Sequence, residues 1–548
     1  MTMINQVLKE LDLWVGSIIN EYSAFQRMEK IREKVIHDPI WGTTQFSPIE
    51  VFFLDCPLVQ RLRDIKQTGL AFLVYPTANH TRFDHTLGVM ALVQRIIETI
   101  NHRFRMNSIT ESESIHMRLA ALFHDVGHAF FSHASERIYS NKEFYKKLKY
   151  EFHCLTQFKP KPHELISYYI LKTNSFRRLV DRLVRTPSIM IEDLDINIDF
   201  ICDLIIGLWT NNPSRRFLYE IINGPLDADK LDYLARDAYF AGLSVVYDLE
   251  RYINTVSLDK EKDNSKALRI PLPSINALEQ IILSKMMLYS YIYHHHKIIS
   301  AEGMLRDQYI LFSSNILVKD NYPSTSCFFN EILKTDSELI QYRNAELTGK
   351  DDMILLRMLF RRILLKRAFC VSRVFVKDYQ KEKNLNSEMS KNFGRLCSDM
   401  QDDANRAIVL DEFYNTMLKK IPSGPKKDAF RIEFISIQFP ESPDFKEVTK
   451  LVVPVRESWQ TKNGVPFKSV FPLTEWVNAY SNFRWIGYFF ALDGYRYYFA
   501  EVVSTYLKKK YDLEFNEIAH KMCKFPEEDK IHLPWFLSSL ELQPSLPL

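Results

Sequence analysis

The run Leu122-Phe123-His124-Asp125-Val126-Gly127-His128-Ala129-Phe130-Phe131-Ser132-His133 constrains this chain more than any other stretch. It sets an adjacent imidazole and carboxylate inside apolar sequence, with further histidines four and nine residues after His124. Burying so many titratable groups is costly unless each finds a partner. A divalent metal is the most economical partner for a neighbouring imidazole and carboxylate. On a helix, His124 and His128 would share one face. Gly127, Ala129 and Ser132 keep the side chains small, which predicts room for a ligand. By itself a His-Asp dipeptide is more often a satisfied core pair than a ligand pair, so the rest of the chain has to decide.

Composition narrows the setting. At 548 residues the chain exceeds one ordinary core, which predicts two or more subregions. With 46% hydrophobic and 25% charged residues it is a globular chain, not a disordered one. Only 15 glycines, against many Leu, Ile, Lys, Arg and Glu, favour helices. A net charge of +3 gives no global case for a nucleic-acid binder and leaves local basic sites open. The seven cysteines, Cys56, Cys154, Cys202, Cys327, Cys370, Cys397 and Cys523, are scattered and form no C-x-x-C. That predicts a reducing, cytoplasmic setting without a zinc finger or a disulfide framework. Met1 to Gln6 has no basic lead into an apolar core, and no apolar run reaches 18 residues, so neither a signal peptide nor a membrane span is expected.

Local signals place the elements. Residues 1–33 read as a helical lead-in, and Lys34 to Gly42 as a strand and turn. Ser47-Pro48-Ile49-Glu50 is a capping box with proline at the first helical position. Leu58 to Ile65 reads as helix. Pro76 to Arg82 is a loop feeding a helix through Phe83-Asp84-His85. A further helix ends in the opening motif. Asn141 to Pro162 reads as an exposed basic-aromatic excursion, and 173–218 as helical with loops around Pro187 and Pro213. Asn223-Gly224-Pro225 precedes an acid-dense helix on which Asp229, Tyr233 and Asp237 recur every four residues. After a lysine-rich loop at 259–266, one long helix is expected from Pro273 through Tyr293 and His294-His295-His296. Beyond 325, helices are expected near 350–372 and 400–420, and Phe430–Ile437 and Val448–Val455 read as paired strands. The aromatic stretch from Trp485 to Phe499 reads as core or subunit interface.

Four residues then line up as metal donors: His85, the His124-Asp125 pair, and Asp229. Two imidazoles and two carboxylates form a borderline-hard set that suits Mg, Mn, Fe, Ni or Zn without choosing among them. Each has a plain alternative: His85 as a surface helix residue, Asp229 as a helix N-terminal charge.

The strings Arg82-Phe83-Asp84-His85, His124-Asp125-Val126-Gly127-His128 with Phe131-Ser132-His133, and Asp229-Lys230-x-Asp232-Tyr233-x-x-Arg236-Asp237 together resemble the HD-domain deoxynucleoside triphosphate triphosphohydrolases. This family includes bacterial dGTPases and the vertebrate enzyme that joins a sterile-alpha-motif domain to an HD domain. The resemblance covers roughly residues 34–305. It implies a mainly α fold: an HD-domain helical core over 34–325, with a smaller α+β C-terminal region over 326–548 for regulation or oligomerisation.

It also implies hydrolysis of a dNTP to deoxynucleoside and inorganic triphosphate, with dGTP favoured. His85, His124, Asp125 and Asp229 would hold the metal. Arg82, Lys230 and Lys285 would neutralise the triphosphate. His128 matches a phosphate-contacting catalytic histidine, His133 the histidine that protonates the leaving oxygen, and His163 a supporting member of the same network. Glu136 stands where relatives often have Asp. Gln67 and Asp237 match contacts to the 3′-hydroxyl. Tyr233 lines the sugar pocket, and Tyr293 packs beneath the deoxyribose. Ile299 replaces an arginine often seen near that end.

A second layer of resemblance concerns regulation. Lys34, Val35, Asp55, Gln60 and Arg63 match an activating nucleotide site, and Asp248 and Arg251 a neighbouring one. A charged, solvated helix face is the plain alternative. Binding there would couple to assembly, giving a nucleotide effector and a homo-oligomer, tetramer or hexamer. A part in antiviral or anti-phage dNTP depletion follows from the family alone. The rival functions are an HD phosphodiesterase or nuclease acting on single-stranded nucleic acid or cyclic nucleotides, and a non-catalytic nucleotide-sensing HD scaffold. The basic-aromatic tract Lys142–Lys161 would favour the first. The intact donor set argues against the second.

Overall fold

A computed structural model describes residues 3–25, 31–104, 108–140, 142–184, 196–245, 247–260, 266–312, 329, 332–341, 358–377, 388–441, 452–454, 464–466, 471–516 and 519. The chain divides into two units. One comprises 1–288, 318–341 and 445–472, the other 289–317, 342–444 and 473–548. The fold is mainly helical with small antiparallel sheets. Among the described residues, no helix is long and apolar enough to cross a membrane.

In the first unit, local sequence sets the helix starts. The Ser47–Glu50 capping box opens the Pro48–Leu54 helix with proline in its first turn. A second box, Thr81 with Asp84, opens the Arg82–Arg103 helix, and a third, Thr110 with Glu113, opens Glu111–Phe123. The Arg82–Arg103 helix packs against both Glu111–Phe123 and Ala228–Ala241. Gly88 permits the second contact: a Cβ there would lie 1.9 Å from Asp232 Oδ1 and 2.3 Å from Arg236 Nη2. The predicted strand at Lys34–Asp38 pairs with Gly42–Phe46.

Several expected elements differ. The motif helix stops at Phe123, and residues 124–127 form a turn, so His124 and His128 share no helix face. The 141–162 segment is not an excursion. Glu143–Thr156 is a helix that buries Tyr145, Leu148 and Phe152, apolar residues three and four apart, and turns its lysines outward. Of the loop expected at 259–266, Ser257–Lys260 and Lys266–Arg269 pair as strands, because alternating residues there bury one face.

In the second unit, the helix expected to continue from Pro273 is broken. Ile275–Leu288 ends the first unit's helix, Tyr289–Tyr293 is a π turn, and a new helix spans His296–Phe312. The His294 amide donates to Tyr289 O at 2.8 Å, the i→i−5 bond of a π bulge. Lys366–Val371 is a strand where helix was expected, since Ala368-Phe369-Cys370-Val371 is apolar on both faces. It flanks a three-stranded antiparallel sheet whose centre is Gly487–Ala491 and whose other edge is Ile435–Gln438.

The expected pairing of 430–437 with 448–455 therefore fails. Ile437 pairs with Phe489, while Val452–Pro454 pairs with Gly464–Pro466; residues 448–451 and 455 lie outside the described residues. Helices His296–Phe312, Asp403–Lys420 and Arg496–Tyr511 pack against this sheet. The aromatic stretch is core, as Trp485, Tyr488, Phe489, Phe490, Tyr495 and Phe499 are buried. Each such side chain contributes about 1.5–3 kcal/mol of apolar burial.

Candidate active site

Three elements of the first unit converge on the donor set. The Thr81 cap fixes where the Arg82–Arg103 helix begins, and so puts His85 in its first turn. His124 and Asp125 follow the end of the Glu111–Phe123 helix, and Asp229 lies in the first turn of Ala228–Ala241. His85 Nε2 stands 3.0 Å from Asp229 Oδ1, 3.8 Å from Asp125 Oδ2 and 3.4 Å from His124 Nε2. His124 Nε2 is 3.3 Å from Asp125 Oδ1. Donors held about 2.0–2.2 Å from one ion lie about 3.0–3.5 Å from each other, so His85, His124 and Asp125 are grouped closely enough to hold a divalent metal, with Asp229 reaching the group through His85.

The tautomers agree with that fit. His124 Nδ1 donates to Ala121 O at 2.7 Å, and His85 Nδ1 lies 2.6 Å from Asp232 Oδ2. A carbonyl can only accept, so His124 Nδ1 carries a proton and Nε2 is the nitrogen turned toward His85 and Asp125. Asp232 orients His85 in the same sense. Burial alone would push the His85 imidazole down, but hydrogen bonds to Asp229 and Asp232 overcome it and hold the group at about 10. Burial would raise Asp125, yet Arg82 and the neighbouring imidazoles hold it well below the usual carboxylate range. Asp229 is likewise held low, against burial, by His85 and Lys161.

Beside this set lies a second cluster. His163 Nδ1 donates to Glu136 Oε1 at 2.6 Å, and His133 Nδ1 is 3.1 Å from Glu136 Oε2. His128 Nδ1 is 3.3 Å from Glu136 Oε1 and its Nε2 3.3 Å from Asp125 Oδ1. The Nδ1 contact is not directed well enough to be a hydrogen bond, so that nitrogen is buried without one, whereas Nε2 is held against Asp125. The His128 and His163 rings stack at 4.0 Å. Asp125 joins the clusters, its Oδ1 also lying 4.0 Å from His163 Nε2. Burial, helped by Arg82 and His163, pushes His128 well down, whereas Glu136 outweighs burial and raises His163. Burial would raise Glu136, but His133 and His163 hold it well below its ordinary range.

Gly127 makes this adjacency possible, and not by leaving space for a ligand as expected. A Cβ there would sit 2.3 Å from His163 O and 2.5 Å from Ser167 N. The Gly127 amide donates to Ser167 Oγ at 2.8 Å, and Ser167 Oγ donates to His124 O at 2.8 Å. The motif turn is thereby pressed onto the Pro162–Leu171 helix that carries His163.

Arg82 is buried and already engaged. Its Nη1 donates to Asp125 Oδ2 at 2.9 Å and its Nε to Ser132 Oγ at 2.9 Å. Lys230 Nζ donates to Gly224 O at 2.7 Å and pairs with Asp227. Gln67 is buried, and its Oε1 has no hydrogen-bond partner. Asp237 Oδ1 is 2.8 Å from His80 Nε2. Tyr233 is half-buried on the Ala228–Ala241 helix, and Lys285 half-buried on Ile275–Leu288. Tyr293 belongs to the second unit, with its ring 5.1 Å from Tyr289.

The residues compared with a regulatory site also gather. Lys34 Nζ pairs with Asp55 at 2.6 Å, Gln60 Nε2 donates to Leu54 O at 2.7 Å, and Arg63 Nε donates to Gln60 Oε1 at 2.8 Å. Val35 is exposed on the adjoining strand. Asp248 caps the Leu249–Thr255 helix, and Arg251 Nη2 donates to Pro273 O at 2.6 Å.

Sequence reasoning missed several partners. Asp232 lies three residues after Asp229 on one helix face, a spacing that could have flagged it. His80 carries no such signal. Asp336 carries none either, yet its carboxylate accepts from the Phe131 amide at 2.6 Å and from the Lys66 amide at 2.9 Å. Phe131 and Ser132 both have positive φ, 50° and 55°. Asp336 and the Arg61 guanidinium, which donates to Val126 O at 3.2 Å and to His128 O, hold this strained turn and the His133 that follows it.

Comparison with known proteins agrees with this geometry. Residues 82–212 match the HD domain family model. The chain is 30% identical over 301 residues to a deoxynucleoside triphosphate triphosphohydrolase SAMHD1 homolog of Dictyostelium discoideum, covering 54% of this chain and 53% of that protein. It is 30% identical over 264 residues to deoxynucleoside triphosphate triphosphohydrolase SAMHD1 of Mus musculus, covering 44% and 38%. An uncharacterized protein of Methanocaldococcus jannaschii is 29% identical over 290 residues, covering 52% of each. The chain thus spans about half the length of the curated relatives it matches. A solved structure of a hypothetical protein from Aquifex aeolicus shares the fold, with a TM-score of 0.56 at 21% identity over 86% of this chain and 100% of that one. Residues 82–212 are thus similar to the HD domain family, and about half the chain is similar to deoxynucleoside triphosphate triphosphohydrolases.

Proposed function

We propose that this chain is a metal-dependent hydrolase that converts dNTPs to deoxynucleoside and inorganic triphosphate. The observation that carries the reading is the pairing of two clusters through Asp125: the metal-capable group of His85, His124 and Asp125, with Asp229 against His85, and a buried histidine-carboxylate group beside it. Metal donors alone would suit many HD hydrolases. The adjoining imidazoles add groups able to contact a phosphate and move a proton, and the similarity to triphosphohydrolases supports the substrate class.

His85, His124, Asp125 and Asp229 would hold the cation, which when bound supplies Lewis acidity toward a phosphoryl oxygen and a water nucleophile. Water attacks the α-phosphorus and the bond to the 5′-oxygen breaks. His133, exposed at the mouth of its cluster, gives its proton to that oxygen. Glu136 and His163 orient His133, and His128 contacts the phosphate. Lys230, Lys285 and Arg82 balance the triphosphate charge, Arg82 through its hold on Asp125. The unpartnered Oε1 of Gln67 supports an acceptor for the 3′-hydroxyl, alongside Asp237, with Tyr233 lining the sugar pocket.

dGTP is the favoured substrate. A nucleotide effector would bind at Lys34, Val35, Asp55, Gln60 and Arg63, with Asp248 and Arg251 beside it, and drive assembly to a tetramer or hexamer. The cellular role would be dNTP depletion, as in anti-phage defence. The test is to incubate purified protein with Mn or Mg and each dNTP, singly and in pairs, and to follow triphosphate release. Release that requires a second nucleotide supports the effector. No triphosphate under any pairing rejects the proposal, and cleavage of single-stranded DNA or cyclic nucleotides instead would establish the phosphodiesterase reading.

A further inference from the structure

The histidine-carboxylate cluster has a second chemical capacity. Three imidazole nitrogens surround one carboxylate: Nδ1 of His163 at 2.6 Å, of His133 at 3.1 Å and of His128 at 3.3 Å from Glu136 oxygens. One donor atom from each of the four residues lies within 4.8 Å of all the others, close enough for modest rotation to bring them around a single ion. Three nitrogens and one oxygen are the donor set of a zinc-class cation, softer than the two-imidazole, two-carboxylate set next door.

His128 supplies an independent sign. Its side chain is fully buried, faces Glu136, and leaves Nδ1 without a hydrogen-bond partner. A buried imidazole in that condition costs free energy that a ligand at Nδ1 would recover. Access comes through His133, whose side chain is 60% exposed while those of His128, Glu136 and His163 are 0%, 10% and 4% exposed.

We propose that His128, His133, Glu136 and His163 form a second divalent-cation site, selective for zinc-class ions, distinct from the site of His85, His124, Asp125 and Asp229. Its filling withdraws from chemistry the imidazole nitrogens that would act on the phosphate and the leaving oxygen. Zinc beyond the first equivalent therefore inhibits. That consequence rests on the hydrolase reading; the site itself does not.

Zinc binding to the full chain, stripped of metal and measured by equilibrium dialysis with elemental analysis, separates the two. The wild type should bind two equivalents per chain. His133→Ala, a change at an exposed side chain, and Glu136→Gln should each keep one and weaken the other at least about tenfold. The retained equivalent shows that the variant is folded. Asp229→Ala should weaken the complementary equivalent. One equivalent in the wild type, or a second that both His133→Ala and Glu136→Gln leave unchanged, would overturn the site. If two equivalents bind as described but no dNTP is hydrolysed, the site stands and the hydrolase reading falls. If dNTPs are hydrolysed and a second equivalent binds without inhibiting, the inhibitory role is rejected.

Discussion

His85 Nδ1 lies 2.6 Å from Asp232 Oδ2, and this bond aims His85 Nε2 at Asp125 and Asp229. Asp232 is itself locked by Arg236, whose Nε and Nη2 donate to its two oxygens at 2.9 Å each. Asp232→Asn keeps the shape but weakens the orientation of His85. Metal affinity should fall about 10–100-fold, measured by competition with a chelator, with the helical circular dichroism retained. Unchanged affinity would mean that packing alone orients His85.

The two clusters should separate by mutation. His133→Ala should lower turnover about 10²–10⁴-fold while the His85, His124, Asp125 and Asp229 site keeps its metal. Asp125→Ala should lose both metal and turnover. It also leaves Arg82 buried beside no carboxylate, so a lower melting temperature is expected as well. Metal content and triphosphate release, measured on the same preparations, check both outcomes.

Gly127→Ala places a methyl group 2.3 Å from His163 O. The Pro162–Leu171 helix must then retreat, taking His163 away from Glu136. Overpacking of this kind costs about 1–3 kcal/mol, and turnover should fall with it. A thermal melt and a rate measurement on the purified variant suffice, and a variant matching wild type in both would refute the close approach.

Asp336 provides a pH test. Burial pushes its carboxyl up to about 7, against the lowering effect of the Phe131 and Lys66 amides and of the Lys66 ammonium, with Asp64 adding to the rise. The folded value lies above the ordinary value of 3.8, so the folded chain binds this proton more tightly than the unfolded chain does. Its contribution to stability is full below about pH 4 and is lost as pH rises through about 7. Wild type should thus lose melting temperature between pH 5 and about 8 relative to Asp336→Asn, whose melting temperature should vary less across that window. Parallel curves would exclude the linkage.

The exposed Lys34–Asp55 pair should matter little to folding. Lys34→Ala should change stability by about 1 kcal/mol or less. If nucleotides bind there, the same change should raise the effector concentration needed for half-maximal triphosphate release. Equal activation curves would remove Lys34 from any regulatory site.

What the sequence alone determined was local or carried by spacing. The Ser47–Glu50 box and the shared face of Asp229, Tyr233 and Asp237 follow from side chains three or four residues apart, whose geometry one helix fixes. The residues read as metal donors stood out in the sequence because few residue types can fill that role. Tertiary structure alone decided how distant segments meet. It placed Asp336 under the Phe131–Ser132 turn, set His80 against Asp237, and paired Ile435–Gln438 with Gly487–Ala491 instead of with a nearer strand. Each of these contacts joins residues from about 50 to more than 200 positions apart. No local propensity encodes such a pairing; it is selected by which apolar faces bury together, and that is a property of the whole packed chain.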